Sequence, residues 1–405
     1  MKVVNSSICR RSVLRGLAAL PGMGALGACA TSSPTNSAAG EDVIARLGVT
    51  KLINAAGTYT SLTASLMPTQ VFDAMQNASR QFVRLNDLHD VVGERIAELT
   101  HAEAALVSAG AASALSIGTA ACVAGTDREK IRRLPDTEGM ANQVIFQKSH
   151  RFGYDHAVRN CGTEIVEVET VEELEAAINE KTAMMFFLNH EAPMGQIGAE
   201  EFAALGQKHS VPTMIDAAAD VPPVENLWRF TEMGFSMVVF SGGKGLRGPQ
   251  SAGLLLGRKN LIEAGRLNSS PNSDTVCRTN KVNKEELVGM LVALEIFLDR
   301  DHDAVWADWE GRCSVIVDAV AEIPGVETEV QVPAIANAVP HLHITWDYQA
   351  TGMTPRDVQL AMREGTPSIA VNPNVDDDLI IGVWMLEPGE DQIVADRLRD
   401  VLATA

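Results

Sequence analysis

The sequence predicts an α/β fold, with a large domain on a mostly parallel sheet followed by a smaller C-terminal α+β domain. Three observations lead there. From Glu41 onward, short apolar runs alternate with amphipathic stretches of ten to fifteen residues, the pattern of strands joined by crossover helices. Residues 264–283 interrupt it, being polar and irregular with Pro271 and several Asn and Ser. The chain has 405 residues, 46% of them hydrophobic and 21% charged, which suffices for two cores.

The chain divides on this reading into residues 1–28, 29–40, 41–275 and 276–405. The first segment carries Lys2, Arg10, Arg11 and Arg15, no acidic residue, and a weakly apolar stretch from Gly16 to Ala28 containing Pro21. It reads as an export signal of the twin-arginine type. Leu26-Gly27-Ala28-Cys29 looks like a lipobox, with Cys29 as the lipidated residue and residues 30–40 as its tether. A basic N-terminus that is never cleaved, in a cytoplasmic protein, is the competing reading.

In the large domain, Ala141–Phe146, Lys181–Leu188, Val211–Asp216 and Met237–Phe240 read as buried strands, and Val171–Asn179 and Ala199–Lys208 as helices. After the junction, Leu287, Met290, Leu291, Leu294, Phe297 and Leu298 keep the three-four spacing of a core-facing helix. His341–Trp346 and Ile380–Trp384 read as strands around a helix at Pro355–Arg363. No apolar run of membrane length follows the signal, so lipid is the only membrane anchor expected.

A formal charge of −19 argues against nucleic acid as a partner, because non-specific binding draws on Lys and Arg neutralising phosphates. Beyond Cys9 and Cys29, the cysteines Cys122, Cys161, Cys277 and Cys313 show no zinc or disulfide spacing, and buried free thiols are expected. His341 and His343 share a strand face, yet no third ligand is evident and no metal is expected.

The chemistry concentrates in Ser241-Gly242-Gly243-Lys244-Gly245-Leu246-Arg247-Gly248-Pro249-Gln250, just beyond a buried strand. A Schiff-base lysine needs a lowered pKa and a backbone that lets a bulky ring approach, and glycines at a strand end provide both. Ser241 can donate its hydroxyl to a phosphate. A solvated lysine on a Gly-rich turn is the alternative. Upstream, a buried strand ends in Asp216, a carboxylate able to keep a pyridine nitrogen protonated, or else a helix N-cap. A third element, Ala104–Leu115, runs from a strand into an Ala-rich helix. There Gly110, Ala111 and Ala112 leave backbone N–H groups open for a phosphate, although close packing also explains small residues.

The segments Leu52–Thr58, Gly93–Thr100, Ile215–Pro223, Ser241–Gly257 and Arg363–Ile369 resemble the bacterial selenocysteine-synthase-like family, in its ammonia-lyase-like branch. The resemblance implies a pyridoxal-phosphate (PLP)-dependent fold type I (aspartate-aminotransferase-like) architecture and pyridoxal 5′-phosphate as cofactor. By it, Lys244 carries the cofactor, Asp216 partners its ring nitrogen, and Ser241 with Gly110, Ala111 and Ala112 holds its phosphate. His150 is the candidate to stack on the ring, and Arg278 and Arg247 are candidates for binding substrate. His101 stands where relatives commonly have Gly. Selenocysteine synthases carry a tRNA-binding domain before the Ile-Asn-Ala segment, for which about a dozen residues leave no room here, so a seryl-tRNA substrate is not expected.

The function expected is therefore a PLP lyase that removes an α-proton from a small amino acid or amino-sugar acid, eliminates a β-substituent and releases ammonia and a keto acid. Transfer, transamination or racemisation shares the first steps, and a catalytically silent binding lipoprotein is a further alternative. At least a homodimer, exported to the periplasm, is expected.

Overall fold

The computed structural model describes residues 42–403. The signal, the tether and Cys29 lie outside them. The described residues before Lys51 form one unit, which contains a one-turn helix, Val43–Arg46, started by the Asp42 carboxylate accepting from the N–H of Ala45 at 3.1 Å. Everything from Lys51 onward forms the other.

Twelve strands are present among the described residues: β1 (Leu52–Ala55), β2 (Ala104–Ser108), β3 (Gln143–Gln147), β4 (Glu164–Val168), β5 (Thr182–Leu188), β6 (Thr213–Asp216), β7 (Met237–Ser241), β8 (Gly253–Gly257), β9 (Glu327–Gln331), β10 (His341–Thr345), β11 (Ser368–Val371) and β12 (Leu379–Gly382). Seven make the large sheet, in the order β2-β8-β7-β6-β5-β3-β4. Only β8 runs against its neighbours. Apolar runs such as Met184–Leu188 are buried on both faces, as central strands of a covered parallel sheet must be. Alternate residues serve two cores: Met185 and Phe187 face one, Met184, Phe186 and Leu188 the other.

The helix Ala111–Ala124 is nearly all small residues because it is packed tightly against the sheet. A Cβ at Gly118 would sit 2.7 Å from the Met214 sulfur. The helix Ala199–Lys208 has the expected bounds, and Pro355–Glu364 extends the expected one by a residue. Val171 opens a helix that ends at Ala177.

The C-terminal layer departs from the linear division at residue 275. Its antiparallel sheet is β12-β10-β9, but β1 from the start of the chain pairs in parallel with β11, Leu52 opposite Ser368, and Ile53 and Ala55 belong to its core. Conversely, Leu287, Met290, Leu294 and Phe297 of the helix Lys284–Asp299 pack with the core of the large sheet. That helix lies across the junction and not beyond it. The strand expected at Ile380–Trp384 stops at Gly382, and Val383–Met385 winds into a 3₁₀ turn.

Cys161, Cys277 and Cys313 are buried free thiols, and burial raises the Cys313 thiol to about 11. His101 has φ +55°, a left-handed conformation that explains why glycine suits this turn; its ring lies 5.1 Å from that of Trp228. Among the described residues, no helix is long and apolar enough to cross a membrane.

Candidate active site

A cavity of about 580 Å³ opens beyond the carboxyl ends of β5, β6 and β7. Such ends are where open α/β sheets place ligands, because loops there diverge while the strands below stay rigid. Asp216 enters it as the last residue of β6, Ser241 as the last of β7, and Lys244 from the turn that follows. Gly110, Ala111 and Ala112 face it from the start of the helix after β2. Gly110 has φ +84°, a conformation that glycine adopts without strain.

The Lys244 turn is glycine-rich because it is pressed against backbone. A Cβ on Gly245 would lie 1.9 Å from the Val221 carbonyl oxygen. The residues expected to gather around Lys244 from the first, second and third motifs are thus brought to one cavity.

Burial governs the electrostatics. It pushes Asp216 up to about 6, against the N–H that Ala218 donates to its Oδ1 at 3.0 Å and against the charge of Lys244. Burial likewise lowers Lys244, opposed by Asp216 and Asp220. Asp220 is a second buried acid, 3% exposed, raised by burial. Its Oδ1 accepts from the Asn189 side chain at 2.8 Å and from the Ala336 N–H at 3.0 Å.

The remaining wall comes from both ends of the chain. Asn54 shapes the loop after β1: its Oδ1 accepts from the N–H groups of Ala56 and Gly57, both at 3.1 Å, and its amide donates to the Gly57 and Ala64 carbonyls. This loop presents Gly57, Thr58 and Tyr59 to the cavity, and the Tyr59 hydroxyl reaches Asn372 at 3.2 Å. Asn337, His341 and Trp384 close it from the C-terminal layer.

Two expectations are corrected. His150 does not face the cavity. It is fully buried, its Nδ1 accepts from the Leu188 N–H at 3.1 Å, and its ring stands edge-on to Phe187 at 4.5 Å, so it is a core residue. Phe152, Tyr154 and His190 line the cavity instead. Arg247 turns away: its Nε donates to the Leu66 carbonyl at 2.8 Å and its Nη2 pairs with Glu387 at 3.3 Å, in a neighbouring cavity. Arg278 is half-buried and is not among the residues lining the Lys244 cavity. His341 and His343 diverge to different partners, the Asn337 carbonyl and the Asp378 carboxylate.

Asp220, His190 and Trp384 were not singled out from sequence. Asp220 lies four residues after Asp216 beyond the same strand, and His190 two residues past the β5 run, so position beyond a strand end was the signal available. Trp384 had none, because its placement depends on the 3₁₀ turn ending β12.

The donor set fits pyridoxal phosphate. An amine with lowered basicity, a buried carboxylate with one oxygen held by a backbone N–H, and a hydroxyl beside a helix start match its aldehyde, ring nitrogen and phosphate.

Residues 52–306 match the profile of the L-seryl-tRNA selenium transferase family. D-glucosaminate-6-phosphate ammonia lyase of Salmonella typhimurium is 29% identical, over 89% of this chain and 98% of its own. A 5′-C-glycyluridine monooxygenase-decarboxylase from a Streptomyces species is 30% identical, over 88% of this chain and 91% of its own. A solved structure of D-glucosaminate-6-phosphate ammonia-lyase superimposes with a TM-score of 0.79 at 27% identity, covering 90% of this chain and 99% of that one.

Proposed function

The chain belongs to the L-seryl-tRNA selenium transferase family, and from that premise we propose that it is an ammonia-lyase acting on a small amino acid or amino-sugar acid. The family and the fold are those of PLP-dependent fold type I enzymes, and pyridoxal 5′-phosphate is the cofactor. The observation that carries the reading is the burial of Lys244 and Asp216 in one cavity, in a chain similar along nearly its whole length to an ammonia lyase.

When bound, pyridoxal phosphate supplies an electron sink for the pair left at the substrate α-carbon. Lys244 would hold the cofactor, and its free Nζ would take the α-proton. A lowered amine pKa suits that role, since an ammonium cannot accept a proton. Asp216 would hold a proton at the ring nitrogen, and Ser241 with Gly110, Ala111 and Ala112 would hold the phosphate. Loss of the α-proton and of a β-substituent, followed by hydrolysis, gives a keto acid and ammonia. The test is a screen of D- and L-amino acids and amino-sugar acids, with and without a terminal phosphate, for ammonia and keto acid together. Keto acid without ammonia, or neither, contradicts the proposal.

The 30% identity to a monooxygenase-decarboxylase favours one second reading, oxidative decarboxylation, which releases carbon dioxide and consumes oxygen. Oxygen uptake in the same screen separates the two.

A homodimer or larger assembly is expected, tested by light scattering on the active enzyme. Export by the twin-arginine route, ending in the periplasm, rests on Arg10-Arg11; retention of Arg10→Lys with Arg11→Lys in the cytoplasm supports it, and unchanged export contradicts it. Lipidation of Cys29 is tested with Cys29→Ser, which is expected to lose membrane association; unchanged association would contradict it.

A further inference from the structure

A second cavity, about 330 Å³, shares Trp384 with the first and no other lining residue. Gly245 and Arg247 of the Lys244 turn form one side. Arg300 and His302 face it from the joint between the helices Lys284–Asp299 and His302–Val320, and Arg312 from further along the second helix. Three arginines in one cavity are conspicuous in a chain of net charge −19.

Two of the three are already neutralised. Arg247 pairs with Glu387 at 3.3 Å, and Arg312 with Asp308 at 2.8 Å. These are the acids of the cavity wall, and both are engaged. His302 is also occupied, its Nε2 at 2.9 Å from the Phe297 carbonyl oxygen. Arg300 is different: half-buried, it lies over the Phe297 ring at 5.6 Å and meets no carboxylate among the described residues. Burial and the neighbouring Arg247 charge both lower its pKa, the signature of a cation short of compensation. A guanidinium carries five N–H donors in a fixed fork, and an oxyanion is the group that satisfies them in pairs.

We propose that this cavity is a binding site for a small organic oxyanion, whose charged oxygens take the Arg300 fork and whose carbon part packs on Trp309. The site is separate from the one that holds the cofactor phosphate. Its occupant touches the turn that carries Lys244 through Arg247 and the wall of the first cavity through Trp384.

The test is calorimetric titration of the cofactor-loaded enzyme at fixed ionic strength, with phenyl phosphate and inorganic phosphate as probes. Phenyl phosphate is expected to bind, more tightly than inorganic phosphate, and Arg300→Gln to weaken it at least about tenfold. Enzyme reduced with borohydride, whose first cavity is permanently filled, is expected to bind as the untreated enzyme does. Absent binding, unchanged affinity in Arg300→Gln, or loss of binding on borohydride reduction would overturn the proposal.

Discussion

Asp216 and Lys244 share one buried cavity, where desolvation drives each toward its neutral form and the charge of each resists the shift in the other. Before the cofactor binds, the pair is an electrostatic liability.

This gives a stability prediction for the cofactor-free protein. The Asp216 carboxyl titrates near 6 when folded against a reference of 3.8, so between those values the folded state keeps a proton that the unfolded state has released. Stability therefore falls as pH rises through that window, and the loss is complete at neutral pH. A shift of this size corresponds to at most about 3 kcal/mol. Asp216→Asn is expected to be more stable than wild type at neutral pH and equal to it below the unfolded pKa, measured by urea unfolding. Greater stability of wild type at neutral pH would contradict the burial argument.

Lys244→Ala is expected to abolish the visible absorbance of lysine-bound cofactor and its sensitivity to borohydride. Ammonia release should fall by roughly 10² to 10⁴-fold or more, the contribution of a positioned general base. A variant that keeps the absorbance would exclude Lys244 as the attachment point.

His150→Ala is expected to act on folding and not on the cofactor. It removes a buried ring and leaves the Leu188 N–H without its acceptor, at a cost of about 2–4 kcal/mol. Urea unfolding reads that loss, while the cofactor spectrum of the folded fraction stays that of wild type. A changed spectrum with unchanged stability would restore the ring-stacking role.

Asp220→Ala leaves the Asn189 amide and the Ala336 N–H without their acceptor, costing about 1–3 kcal/mol for each buried group. It also removes a negative charge that raises Asp216, so the acid limb of the pH–rate profile should move down. A profile that does not move would separate Asp220 from the chemistry.

Much of this arrangement was legible in the sequence because it follows from local pattern. Buried parallel strands are apolar on both faces, so Met184–Leu188 and Met237–Phe240 announced themselves, and Asp216 and Lys244 were conspicuous as a carboxylate and an amine at strand ends. Residues whose role depends on which face of a turn they occupy were not legible. His150 and Phe152 are two residues apart after the same strand, yet one enters the core and the other the cavity. Arg247 follows Lys244 by three residues with φ +53° and leaves the cavity altogether. The pairing of β1 with β11 was likewise beyond reach, because nothing local to Leu52–Ala55 names a partner more than three hundred residues away.

That pairing sets a timetable for biosynthesis. The loop bearing Gly57 and Tyr59 hangs from a strand that has no neighbour until Ser368–Val371 leave the ribosome. The large sheet can condense while the chain is still growing, but the wall over Lys244 is among the last parts to be built. A chain cut short before residue 368 would carry its lysine but leave its active site unroofed.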